Sequence, residues 1–285
     1  MASKDTIPLG YVELENGSKA IYPMNDIFLN YTFENASHWE ALRLAINLLI
    51  DAYRQHQPST KVRPIEGKIE VRTQFRYLLD VDGKTTRDQD IKITEGNDES
   101  TYIEFQNRAN TQPPIEARSV EYFGLGIGRS RGKLSNQIWL LAEDVDTVLH
   151  GESFARYILK DEITGRMHPA TSGIMYVSLA KHSQDNSPVG ELAAFLLGKI
   201  AAPKSEIVKE VAATFNSSFD AFKSDKEAVK MLSLRERGWY EGLIEGEVNI
   251  ANRVSELIEK GVDLKEIAVI LQEIKLGKAL PIQEE

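Results

Sequence analysis

Two short runs, Asp90-Ile91-Lys92-Ile93-Thr94 and Thr101-Tyr102-Ile103-Glu104-Phe105-Gln106, constrain this chain more than any other stretch. Both alternate apolar and polar residues with the period of a strand, and between them lies a polar turn, Glu95-Gly96-Asn97-Asp98-Glu99-Ser100. Symmetric pairing about Asn97 sets Asp90 opposite Glu104, Ile91 opposite Ile103 and Lys92 opposite Tyr102. One face of the hairpin is then Ile91, Ile93, Ile103 and Phe105, and the other is Asp90, Lys92, Tyr102, Glu104 and Gln106. Two carboxylates directly opposed across a ladder stand with Cβ atoms roughly 4.5–5.5 Å apart. They repel unless a cation or a proton lies between them. A divalent metal would meet that need.

Composition narrows what such a hairpin can serve. The chain has 285 residues, enough for one or two domains with a real core. It has no cysteine, which excludes disulfides, thiolate zinc sites, iron–sulfur clusters and cysteine nucleophiles. Its 43 acidic against 34 basic residues leave a net charge of −9, which argues against charge-driven coating of nucleic acid but leaves room for a local basic contact. Met1 to Gly10 lacks the pattern of a secretory signal, and no stretch reaches the ~18 apolar residues of a membrane span. A cytoplasmic protein without a membrane partner is the expectation.

Around the hairpin the periodicity predicts an α/β protein. Ser37 and Glu40 read as a capping box before a helix whose Leu42, Ala45, Ile46, Leu49, Ala52 and Tyr53 share a buried face, with Pro58 past its end. Strand-like runs follow at Ile69–Val71 and Phe75–Leu79. A second helix over Ile115–Ile127 sets Arg118 and Tyr122 one turn apart on the same side. Buried strands are expected at Gln137–Ala142 and Ile174–Leu179, a short one at Arg156–Leu159, and an apolar helix at Glu191–Ile200. From 203 the composition is helical, with 12 Lys or Arg against 16 Asp or Glu, so it is not a basic arm. Within it Ile250, Val254, Leu257 and Ile258 lead to Gly261 and a second helix over Ile267, Ile270, Leu271 and Ile274, a pair with one apolar stripe to bury. The expected division is an N-terminal extension over 1–23, an α/β core over 24–202 and a helical C-terminal region over 203–285, with homo-oligomerisation through that region as one use of the stripe.

Magnesium-assisted phosphodiester hydrolysis needs hard oxygen ligands on a rigid support and a group that orients the attacking water. Asp90, Glu104 and the main-chain carbonyl of Phe105 supply such oxygens. Gln106 lies on the same face to hold a water, and Lys92 is there to lend positive charge. Asp88 and Glu40 are further acids for such a site. An ordinary hairpin with a solvated polar face has the same spacing, so both readings stand at this point. Gly124, Gly126 and Gly128 lack the preceding strand and the third glycine of a dinucleotide loop. The histidines show no metal-ligand spacing. Arg129, Arg131 and Lys133 form a short basic cluster that could touch a nucleic-acid backbone or simply lie in water.

The order of helix, sheet, Asp90, Ile103-Glu104-Phe105-Gln106 and Arg118-Ser119-Val120-Glu121-Tyr122 resembles the PD-(D/E)XK nuclease superfamily, in its branch of recombination-promoting nucleases and transposase-like proteins. Asn25-Asp26-Ile27-Phe28 with Tyr31 and Phe33, and the turn from Gly261 to Ala268, are similar to that branch too, so the resemblance spans roughly residues 24–275. It implies a restriction-endonuclease-like core, a mixed sheet flanked by helices that carries Asp90 and Glu104 at one edge. Asp90 matches the metal-binding Asp, Glu104 the acid of the second motif, and Gln106 the position where the superfamily usually has Lys. Arg118 and Tyr122 match helix positions that contact phosphate. The implied activity is DNA cleavage with Mg2+, or Mn2+ in its place, and DNA is the implied partner. The departure at Gln106 keeps a second reading alongside, a nuclease fold with weak or no turnover that acts as a binding module.

Overall fold

The computed structural model describes residues 11–13, 19–21, 23–73, 90–96, 99–109, 111, 113–129, 134–166, 173–226 and 228. Two compact units divide the chain, residues 1–231 and 232–285. All described residues belong to the first. The strand expected at Phe75–Leu79, Asp88, the side chains of the cluster at Arg129, Arg131 and Lys133, and the helix pair from Ile250 to Ile274 lie outside the described residues.

The fold is α/β. A six-stranded mixed sheet comprises β3 (Ile69–Thr73), β4 (Ile91–Glu95), β5 (Ser100–Gln106), β6 (Leu134–Leu141), β7 (Phe154–Ile158) and β8 (Gly173–Ser178), in the order β3-β4-β5-β6-β8-β7. β3 pairs antiparallel with β4 and β4 antiparallel with β5; β5, β6 and β8 pair in parallel, and β7 closes the far edge antiparallel to β8. A separate two-stranded ribbon is formed by β1 (Tyr11–Glu13) and β2 (Lys19–Ile21). The hairpin register is the expected one, with Ile91 opposite Ile103 and Lys92 opposite Tyr102.

Helices cover both faces of the sheet. Trp139 is in register with Tyr176, and Tyr176 with Ala155, so these three share a face. That face is covered by α3 (Ile115–Arg129), whose Ile115 joins the apolar cluster of Trp139, Leu141 and Tyr176, with Tyr122 and Phe123 packed against it. Phe154, one residue from Ala155, points to the opposite face and meets Tyr53 edge-on at 5.6 Å between ring centroids. Tyr53 lies on α2 (Trp39–His56), whose buried Leu42, Ala45, Ile46, Leu49 and Tyr53 form the stripe read from the sequence. The cap of α2 differs from expectation. A 3-10 turn at Ala36–His38 intervenes, Asn35 accepts from the Ser37 N–H at 3.1 Å, and Glu40 pairs instead with Arg43 one turn along. The glycines Gly124 and Gly126 lie inside α3, so they form no phosphate loop.

The segment at Asn25–Phe33, noted in the sequence only for its Asp and aromatics, is the helix α1 (Asp26–Glu34), with Asn25 accepting from the Phe28 N–H at 3.1 Å as its N-cap. Aromatic and β-branched residues weaken a helix signal, and here packing overrides it. Phe28 meets Phe215, Phe219 and Phe222 of α7 (Glu206–Ser224) at 5.6–6.4 Å. The short helix α4 (Asp146–Leu149) joins β6 to β7, and between β8 and α7 the chain forms the short helix α5 (Leu179–His182) and the apolar helix α6 (Pro188–Leu196). The ring of Phe195, from α6, packs on Phe215 at 5.6 Å. No helix among the described residues is long and apolar enough to cross a membrane.

Candidate functional site

Glu104 is on an interior strand, not at the edge of the sheet, because β3 adds outside β4 and β6 pairs with β5 on its other side. Every residue of β5 is buried, so Tyr102, Glu104 and Gln106 are covered and do not form a solvated surface, while Asp90 and Lys92 on the same face are half-buried. Asp90 sits just before β4, where the ladder runs out. There its side chain takes over from the missing backbone partner: its Oδ2 accepts from the Phe105 N–H at 2.8 Å. In return the Asp90 N–H donates to Glu104 Oε2 at 3.2 Å. This reciprocal pair of bonds fixes both carboxylates at the end of the hairpin. An extended residue presents its N–H and C=O to the same side of its strand, so the Phe105 carbonyl also faces the Asp90 side.

One of the two carboxylates, Glu104, has a cation partner within the protein. Arg118, from the second turn of α3, donates through Nη2 to Glu104 Oε1 at 2.8 Å and through Nη1 to Gln106 Oε1 at 2.8 Å. The Glu104 side chain is only 6% exposed and that of Arg118 is 19% exposed, so the carboxylate is the deeper partner. The Gln106 amide is oriented from both ends, since its Nε2 donates to the Arg108 carbonyl at 2.7 Å. Beneath the guanidinium lie two rings, Trp139 at 5.4 Å and Tyr122 at 5.7 Å, themselves stacked at 5.9 Å with 28° between their planes. Such faces attract a cation without fixing its orientation.

Tyr122 therefore belongs to the site. Burial pushes its phenol up, with Glu104 and Asp90 acting in the same sense and Arg118 opposing them, so the hydroxyl stays protonated and able to donate. Lys92 stands two residues from Asp90 on the same face, its ammonium 5.7 Å from the Tyr102 ring centroid. Glu40 pairs with Arg43 on α2. Among the described residues no group of three or more His, Asp or Glu side chains gathers as a ready metal site. The donors at the hairpin end are nonetheless of the right kind: two carboxylates and a carbonyl are hard oxygens, and Mg2+ commonly takes one or two carboxylates while keeping several waters.

Two supports were not visible in the sequence. Trp139 lies beside Glu104 only through the parallel register of β5 with β6, a pairing that no local period encodes. Ser119 is fully buried, donates to the Glu116 carbonyl at 2.9 Å and accepts from the Tyr176 hydroxyl. That bond ties α3 to β8 and sets the rotation that aims Arg118 at β5. The end of β5 is held as well, by Asn107 donating to the Met24 carbonyl at 2.9 Å and by the Ala142 N–H donating to the Gln106 carbonyl at 2.9 Å. Compared with family models, curated proteins and solved structures, the chain matches none.

Proposed function

We propose that the protein is a metal-dependent endonuclease of PD-(D/E)XK type that hydrolyses DNA phosphodiester bonds. The observation that carries this reading is the pair of bonds from the Phe105 N–H to Asp90 Oδ2 and from the Asp90 N–H to Glu104 Oε2; with the Phe105 carbonyl, the two carboxylates make three hard-oxygen donors near the end of β5. Those three groups would hold Mg2+ or Mn2+. When bound, the ion supplies positive charge to the phosphoryl oxygens and makes a water acidic enough to serve as nucleophile at neutral pH.

The chain's own residues do the rest. Gln106, clamped by Arg118 and the Arg108 carbonyl, is placed to orient a water by hydrogen bond. Its amide takes no proton, so it positions rather than deprotonates. Arg118 brings a planar fork of donors that matches a phosphate. Tyr122 offers a neutral hydroxyl beside it. The net charge of −9 confines DNA contact to a narrow strip of cations, here Arg118, Lys92 and the exposed Arg108. A second reading, a binding module with little turnover, draws on one observation: the fork of Arg118 is already engaged, with Gln106 and with Glu104.

Supercoiled plasmid incubated with the purified protein and Mg2+ or Mn2+ separates the two. Nicking that is lost in Asp90→Ala and Glu104→Ala is the expected result. Uncut plasmid with both ions, together with unimpaired metal binding by Glu104→Ala, would overturn the nuclease reading. Retained duplex binding without cleavage would favour the binding module.

A further inference from the structure

We infer that Arg118 is a displaceable counter-ion: it occupies the cation's place on Glu104, and its release toward a phosphate makes divalent metal and phosphate bind cooperatively. The inference rests on the nuclease reading and adds to it a linkage between metal and substrate. A carboxylate as buried as Glu104 needs a positive partner, and the ion pair at 2.8 Å provides it. The oxygen that holds the guanidinium, Oε1, belongs to one of the two carboxylates that would hold the metal. A guanidinium and a divalent cation on the same carboxylate repel each other, strongly so in a buried setting. Each therefore weakens the other's hold on Glu104.

The surroundings let Arg118 let go. Its backbone is fixed by the bond between Tyr176 and Ser119, so the freed side chain moves while the helix does not. The Tyr122 and Trp139 rings lie 5.7 and 5.4 Å from its guanidinium, and the attraction of a ring face holds through a range of cation orientations. The side chain is partly open to solvent. A phosphate that accepts the fork removes the competitor from Glu104. By reciprocity, phosphate tightens metal as much as metal tightens phosphate.

The test is Mn2+ binding to the full chain, followed by calorimetry and by the loss of the free-ion spin-resonance signal, with no cleavage involved. Thymidine 5′-monophosphate serves as the phosphate probe, corrected for the Mn2+ it binds by itself. Arg118→Gln, which keeps a hydrogen-bonding head and loses the charge, should bind Mn2+ more tightly than wild type, within the 5–150-fold range of about 1–3 kcal/mol couplings. The nucleotide should tighten Mn2+ on wild type and leave Arg118→Gln unchanged, and Glu104→Gln should lose Mn2+. If Arg118→Gln does not fold, the nucleotide effect on wild type decides alone. Mn2+ binding by wild type that neither the nucleotide nor Arg118→Gln tightens overturns the inference and leaves the nuclease reading standing. No Mn2+ binding by wild type or by Arg118→Gln at millimolar concentration overturns both.

Discussion

The ion pair between Arg118 and Glu104 predicts an asymmetric response to removing either partner. In metal-free buffer, Arg118→Ala strands a carboxylate that is 6% exposed. Breaking a buried pair from one side costs about 3–5 kcal/mol, limited only by the carboxylate taking up a proton. Glu104→Gln strands instead a guanidinium that is 19% exposed, can reach water and keeps its bond to Gln106. Loss of one hydrogen bond to a charged group then costs about 1.5–3 kcal/mol. With both changes made, no charge is left without its partner, so the double variant should be less destabilised than the sum by about 1–3 kcal/mol. Urea unfolding in EDTA, read by far-ultraviolet dichroism on all four proteins, measures the cycle. Arg118→Ala costing under 1 kcal/mol, with singles and double adding to within about 0.5 kcal/mol, would refute the claim that Glu104 depends on its arginine.

Gln137 is fully buried on the same face as Trp139, and both ends of its amide lack a partner among the described residues, so Gln137→Met should raise the melting temperature by removing an unmet penalty of about 1–3 kcal/mol. A fall in melting temperature would show that an internal water serves the amide. Tyr176→Phe removes the bond that ties α3 to β8 and should cost about 1 kcal/mol while lowering plasmid nicking, since Arg118 loses its fixed base. An unchanged unfolding midpoint would count against that tie. His182 has its folded-state pKa lowered, by burial above all, with Asp185 opposing and His56 reinforcing the shift. Its contribution is therefore complete above the ordinary histidine value of about 6.5 and is lost as pH falls through the depressed one. His182→Phe should flatten the acid limb of the stability profile, and a stability difference from wild type that stays constant between pH 7.5 and 5 would refute the assignment.

Much of the site could be read from local pattern, because strand period and helix period act over a few residues. Alternation alone set Asp90 opposite Glu104 and Gln106 on their face, and the spacing of Arg118 and Tyr122 put them on one side of a helix. What covers that face is decided by residues far along the chain. The polar side of the hairpin had the same spacing whether bathed in water or packed under α3, and only the closing of β6 against β5 distinguishes the two. For the same reason the pairing of Glu104 with Arg118, 14 residues along the chain and on another element, could not be read from the strand spacing. Helix α1 escaped notice because its stability comes from the phenylalanines of α7, nearly two hundred positions away. Ser37 does not cap α2, whose N-cap position is His38, because its N–H and hydroxyl both donate to the side chain of Asn35.

The seal between α1 and α7 also bears on how the C-terminal region can be studied. Phe215 touches Phe28, Phe33 and Phe195, and Phe222 touches Phe28 and Tyr31. A chain cut near residue 203 would leave those rings bare, and whatever binding it lost would report misfolding of the α/β body as readily as removal of a docking surface. A cut placed after Ala228, itself fully buried, keeps the rings covered and asks the question cleanly.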